Sequence, residues 1–286
     1  MGNKMTTNLL LTLQPYFLRG ATMDFHFFTT DDQVKLAYSM QGTGIPIVFL
    51  AGYGAPGELW FSQVQACVKA GFQAIVFDRR SHGNSENPAF GQSMQRHGQD
   101  LYQLIQHLGL VKPILVGQSM GASAVFSYLK QYGEENVSGV IDVDQTPKIL
   151  NDDNWKHGMY NSEKIDFENY LNQKHPSPFY KRVPFNVLFR MLIINRKLSK
   201  FDFVSTKPLF LDHIHSDWRQ TLEKLTIPIL FLAGAHSPMW PASHAEASAK
   251  LCSNGEYYIV EKAGHAVNLE QSKASNQEII RFIRSI

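Results

Sequence analysis

The sequence predicts an α/β fold: a mostly parallel β-sheet flanked by helices on both faces. Three observations predict it. Short apolar runs, "IPIVFLAG", "QAIVFD", "PILVG", "GVIDVD" and "PILFLAG", recur along the chain. They are continuous rather than alternating, as strands covered on both faces are. Helix-like segments separate them, and parallel strands need such crossovers. The 286 residues, 44% of them hydrophobic, suffice to bury a full core.

Taken in order after Met23, "VKLAYSM" reads as a strand that stops at "QGTG", and "IPIVFLAG" as a buried strand closed by glycine. Residues 58–69 read as a helix, "QAIVFD" as the next strand, and residues 94–108 as a helix ended by Gly109. "PILVG" is a strand, residues 122–131 a helix and "GVIDVD" a strand. Residues 147–226 break this rhythm. They show no buried strand, are rich in aromatics from Trp155 to Phe189, and carry helical apolar spacing in "VPFNVLFRMLIINRKL". Structureless insertions of that length are rare, so the segment reads as a helical lid inserted after the strand that ends at Asp144. Most of its aromatics are expected in the lid's own core, a minority facing a pocket. The sheet resumes with "PILFLAG", a helix over 242–251, "EYYIVE" and a terminal helix over 268–283. The organisation expected is an extension over 1–22, a core over 23–146 and 227–286, and a lid over 147–226.

The net charge of +2 offers no case for nucleic acid or an anionic membrane as partner. Cys67 and Cys252 lie far apart without CxxC spacing, so both read as thiols in a reducing, cytoplasmic compartment. The apolar patch "NLLLTL" near the start is too short to span a bilayer and lacks the flanks of a signal peptide. "MGNKMT" fits the loose myristoylation pattern, which is short enough to match by chance. Residues 1–22 read as an extension ahead of the fold.

The chemistry is announced by Gly117-Gln118-Ser119-Met120-Gly121. G-x-S-x-G between a strand and a helix forces a sharp turn that projects the serine above the carboxyl edge of the sheet, where ligands of such sheets bind. The following helix aims its free N–H groups at the same point. A hydroxyl needs a base, and histidine is matched in pKa. Of the 11 histidines, His265 in "EKAGHAVNLEQ" follows the last strand on a glycine-containing turn, again at that edge. His213 and His215 form an H-x-H pair without an accompanying carboxylate motif and read as lid residues. Neither a phosphate-cradling glycine loop nor a zinc-ligand cluster is found, so no metal and no cofactor is expected.

With "LAGYG", "DRRSHGNSENP", "GQSMG", "DWRQTLEKLTIPILFLAG" and "AGHAVNLEQ", the chain from Met23 to Ile286 resembles the α/β-hydrolase superfamily. "DRRSHGNS" resembles the family's D-x-R-G-H-G-x-S segment with Ser81 for the usual glycine, which makes Asp78, Arg80 and His82 structural. The resemblance implies a triad acid after the penultimate strand, in a G-x-x-D pattern. Here that stretch is Gly234-Ala235-His236-Ser237, a serine in the acid's slot, and Glu246 lies in the next helix, solvated. Some members take the acid from the strand after the nucleophile's helix, which implies Asp144 in "GVIDVDQTP". Asp142 points to the same side one repeat deeper, where a structural role fits it better. The oxyanion donors implied are the N–H groups of Met120 and of Tyr53, the latter in Ala51-Gly52-Tyr53 where the family often has His-Gly-x.

The expected activity is that of a carboxylesterase-like serine hydrolase: Ser119 attacks, His265 shuttles the proton, Asp144 orients His265. The partner expected is a small or medium apolar acyl or aryl compound in a pocket lined by Tyr53 and Trp240. The alternatives on this scaffold are carbon–carbon bond hydrolysis, cofactor-free oxygenation, and a ligand-binding protein without turnover.

Overall fold

The computed structural model describes residues 23–181 and 183–286; the extension expected over 1–22 lies outside the described residues. Eight strands form one sheet: β1 (Phe25–Thr29), β2 (Lys35–Gln41), β3 (Pro46–Leu50), β4 (Gln73–Asp78), β5 (Ile114–Gln118), β6 (Gly139–Val143), β7 (Ile229–Gly234) and β8 (Gly255–Val260). Their order is β1-β2-β4-β3-β5-β6-β7-β8. β2 pairs antiparallel with both β1 and β4, and every pair from β4 to β8 is parallel. Strand order reverses at β3, between β4 and β5. That is the switch point at which such sheets open a crevice beyond their carboxyl ends. β1 was not expected from the sequence. It is a five-residue edge strand, held by the β2 ladder and by Phe28, whose ring stacks on His107 at 5.2 Å.

Period-two alternation divides the buried strand residues into two core layers. Val48, Leu50, Leu115 and Phe231 face one side. There they meet helices α2 (Met94–His107) and α3 (Met120–Tyr132) through Leu101, Leu104, Val125 and Phe126. Ile47, Phe49, Val116, Ile141 and Leu232 face the other. There they meet α1 (Phe61–Lys69) and α9 (Ser272–Ile283) through Val64, Cys67, Ile279 and Phe282. Both faces are covered, which is why these strands read as unbroken apolar runs.

Between β6 and β7 lie α4 (Phe185–Lys197), α5 (Lys207–His215) and the short α6 (Arg219–Leu222). Pro176, Pro178 and Pro184 keep the chain before α4 irregular by removing N–H donors. The insertion is closed at its base where Trp218 N–H donates to Pro147 O (2.9 Å). α5 is fastened to the core by Asp212, which accepts from the Met94 N–H at 2.6 Å. α7 (Ser243–Ala249) and α8 (Val267–Glu270) complete the chain. The terminal helix expected over 268–283 is interrupted at Gln271 (φ −123°, ψ 50°). Just before that break, the buried Glu270 turns in and accepts from the N–H groups of Gly264 (2.8 Å), Tyr180 (3.0 Å) and Lys181 (2.6 Å). The His265 loop and the insertion are thereby joined through one carboxylate.

Candidate active site

Ser119 sits between β5 and α3 with φ 53° and ψ −129°, a strained turn conformation that carries the side chain out of the sheet. Gly121 is required there because a Cβ would meet the carbonyls of Leu50 and Ala51. Gly52 is required because a Cβ would run into the Gln118 amide and lie 3.2 Å from the Ser119 Cβ. The loop after β3 thus passes directly over the serine. The N–H groups of Tyr53 and Met120 have no acceptor among the described residues. Both residues line the cavity that Ser119 opens into, as does Trp240.

Asp144 follows β6 in a left-handed conformation (φ 54°), and its carboxylate is fully buried. Oδ1 accepts from the Gly234 N–H (2.9 Å), and Oδ2 from Ser237 Oγ (2.8 Å) and His265 Nδ1 (2.7 Å). The serine in the expected acid's slot therefore hydrogen-bonds Asp144, the alternative acid expected from the sequence. A second imidazole, that of the buried His244 on α7, stands with Nε2 3.5 Å from Oδ1, the outer limit for a hydrogen bond. Burial pushes the Asp144 carboxyl up, but His244 and His265 beside it outweigh burial and bring it down to about 2. Asp142 differs. Its Oδ1 accepts only from the Gln145 N–H (2.9 Å). Burial pushes its carboxyl well above the ordinary range, the Gln145 bond opposes this, and Asp144 adds to it. Glu246 lies at the surface, paired with Lys250 at 2.7 Å.

The His265 ring packs edge-on against Trp240 (centroids 5.2 Å apart). With Nδ1 on Asp144, Nε2 is left facing the cavity, and there it meets Gln118, whose Nε2 donates at 3.3 Å. Ser119 and His265 line the same cavity without a hydrogen bond between them. The Gln118 amide is thus the hydrogen-bond partner of the ring nitrogen that a base for the serine would need free.

Behind the Ala51–Tyr53 loop lies a buried cation that sequence reasoning passed over. Arg79 donates from Nε to Ala51 O (3.1 Å) and from Nη2 to Gly52 O (2.9 Å) and His82 Nε2 (3.1 Å). Its Nη1 donates to His97 Nδ1 (3.0 Å). Burial lowers Arg79 to about 9, still a cation at neutral pH. Burial and the guanidinium hold His82 and His97 far below the usual imidazole range, hence neutral. The neighbouring Arg80 is clamped by Asp100 through Nε and Nη2, both at 2.9 Å. Asp78 accepts from Gly57 and Asn84. The "DRRSHGNS" segment braces the loop over the serine.

The cavity measures about 530 Å³. Its walls are mostly apolar: Trp60, Met191, Phe203 and Phe210 beside Tyr53 and Trp240. Tyr53 Oη shares a 2.8 Å hydrogen bond with Thr206 Oγ1, so the loop over the serine also holds the start of α5. From α5, His213 reaches the cavity wall while His215 stays at the surface. Burial, with the charge of Arg79, drives His213 down to about 3. It is therefore a neutral polar group in an apolar wall. The H-x-H spacing showed the pair but not which member turns inward.

Comparison with known proteins identifies the family of this fold. Residues 45–272 match the profile of the α/β hydrolase fold. The chain belongs to the α/β-hydrolase family. This α/β hydrolase is 24% identical to a bifunctional esterase/perhydrolase of Acinetobacter calcoaceticus, over 91% of this chain and 99% of that protein. Among solved structures, an esterase from Exiguobacterium antarcticum superposes with a TM-score of 0.80 at 24% identity, covering 90% of this chain and 98% of that one. A bromoperoxidase from Bacillus anthracis superposes at 0.79 with 23% identity, covering 91% and 100%. At these identities the structural likeness speaks for the fold. No helix among the described residues is long and apolar enough to cross a membrane.

Proposed function

We propose that this hydrolase cleaves a carboxylic ester, or a related acyl compound, with a small or medium apolar acyl or aryl group. Ser119 Oγ attacks the carbonyl carbon while His265 Nε2 takes its proton. The tetrahedral oxyanion is held by the N–H groups of Tyr53 and Met120, each such donor contributing about 2.7–4 kcal/mol. The imidazolium gives its proton to the departing alkoxide. Water, deprotonated by His265, then attacks the acyl-enzyme, releases the acid and restores Ser119. Asp144 keeps Nδ1 protonated and stabilises the imidazolium. The residues from 147 to 226 serve as the lid over the acyl group.

The observation that carries this reading is the 2.7 Å bond from His265 Nδ1 to a carboxylate held at about 2. It fixes the tautomer that leaves Nε2 free to act as base, beside a serine on a strained turn. The Gln118 amide must first leave Nε2, a rotation of one side chain; such bonds often tighten only when substrate is present.

The test is labelling by a fluorophosphonate probe, followed by turnover of p-nitrophenyl esters of increasing acyl length with Ser119→Ala as blank. Labelling at Ser119, and turnover that vanishes in the variant, are expected. Turnover retained by Ser119→Ala would favour chemistry run by the His265–Asp144 pair alone, the reading to which the missing Ser119–His265 bond lends weight. An unlabelled, inactive protein would leave a ligand-binding scaffold.

A further inference from the structure

The lid carries a feature that acyl transfer in water does not use. On α4, Val187 and Met191 pack inward against Phe61, Phe179, Ala266 and Leu269, and Met191 lines the cavity. The opposite face should be polar in a helix that meets water. It is not: Phe185 is 78% exposed, Leu188 43% and Leu192 52%. Their spacing puts them in one stripe, and Arg196 continues it. The loop that follows adds Phe203, 49% exposed although it also borders the cavity, and Val204, 86% exposed.

Charge is concentrated in the same stretch. Residues 174–204 contain seven basic residues and one acidic, a net +6 within a chain whose total is +2, so the remainder carries −4. Lys174, Lys181, Arg196, Lys197 and Lys200 are exposed, and none makes an ion pair among the described residues. Arg190 is directed elsewhere, over the Phe61 ring at 4.2 Å. An apolar stripe that ends in basic side chains, Arg196 and Lys197, with further exposed lysines in the flanking segments, is the pattern of helices that lie in a lipid headgroup layer. A protein surface of either sign could take the apolar stripe, but the concentration of positive charge selects an anionic partner.

We propose that the outer face of α4 and the 198–204 loop dock on an anionic lipid surface, with the cavity behind the lid drawing its substrate from that surface. The second half rests on the ester-hydrolase reading; the docking does not. The helix lies on the bilayer and does not span it. Its inner face is a wall of the cavity, so burying the outer face in headgroups places the cavity at the interface, where acyl chains of lipid-dissolved esters are found.

The experiment uses the full-length Ser119→Ala protein, so that binding is read without turnover and stands or falls apart from the ester reading. Its co-sedimentation is measured with vesicles of phosphatidylcholine alone and of phosphatidylcholine with one third phosphatidylglycerol, at low and high salt. Binding to the anionic vesicles, weakened by salt and faint on neutral ones, is expected. Each basic side chain at such a surface strengthens binding about five-fold. Arg196→Glu with Lys197→Glu should therefore lower binding more than about ten-fold, and Leu188→Gln with Leu192→Gln should lower it comparably. The same pairs of substitutions on the active chain should leave the melting temperature and the turnover of a water-soluble ester unchanged. The proposal is overturned by no binding at low salt. It is equally overturned by binding that both double variants retain, which would assign it to another part of the chain. A dimer in solution that Leu188→Gln/Leu192→Gln dissociates would give the stripe to a second copy and overturn it too.

Discussion

Asp144→Asn isolates the acid. The amide has nearly the carboxylate's shape, so Oδ1 can still accept from Gly234 and Ser237 can turn its hydroxyl to accept from Nδ2. The contact with His265 is the one that changes sign. An Nδ2 donor 2.7 Å from Nδ1 requires the lone pair there and moves the ring proton to Nε2. The base is then spent, and a loss of about 10⁴ in kcat follows, near 5.5 kcal/mol. Stability moves much less. The Asp144 carboxyl, ordinarily 3.8, stands at about 2 in the folded chain. The native state therefore holds the ionised form more tightly than the unfolded chain does. That contribution, roughly 2–3 kcal/mol, is complete above the ordinary carboxylate value and is lost as pH falls toward the native one. The variant should melt a few degrees lower at pH 7, and the gap should close on acidification. Ester hydrolysis by the purified variant and thermal melts followed by circular dichroism at several pH values provide both readings. A folded Asp144→Asn protein that keeps a tenth of its activity would refute the assignment.

Ser237→Asp added to Asp144→Asn should recover at least about ten-fold of the lost turnover, because the Ser237 side chain already reaches to 2.8 Å from the Asp144 oxygen that His265 contacts and would bring a carboxylate beside the ring. Steady-state kinetics of the double variant decide it; no recovery would show that the 237 position cannot orient the ring. Gln118→Met removes the competing donor at His265 Nε2. Since a hydrogen bond is worth about 0.5–1.5 kcal/mol net, kcat/KM should rise about two- to ten-fold. A ten-fold fall would show that the amide positions the ring. Arg79→Met strips donors from two carbonyls and two imidazoles in a dry site. A stability loss of about 3–5 kcal/mol in urea titration is expected, with kcat reduced through the loop that carries the Tyr53 N–H. An unchanged midpoint would refute the bracing role.

Much of the fold could be read beforehand because buried parallel strands leave long apolar runs and G-x-S-x-G has a local backbone meaning. The bounds of β4, read as "QAIVFD", coincide with those observed. What escaped had no local signature. β1 is an edge strand stabilised by its neighbour. Gln118 is the variable residue of its motif, and its amide reaches His265 only because two loops converge. Arg79 stood next to the arginine that matched the family pattern. His244 sits in an unremarkable helix, and only packing brings it beside Asp144. The basic, apolar character of α4 and its flanks was hidden in a total charge near zero, because a sum over the chain discards where the charges lie.

The sequence by itself determined the sheet, the serine turn and the histidine loop, since each depends on residues within a few positions of one another. Which carboxylate meets His265, which amide covers its other nitrogen, and which cation supports the loop over the serine were decided only by tertiary structure. Those contacts join residues as much as 147 positions apart. Their energies depend on burial and on distances of a few tenths of an ångström, which no local pattern of residues encodes.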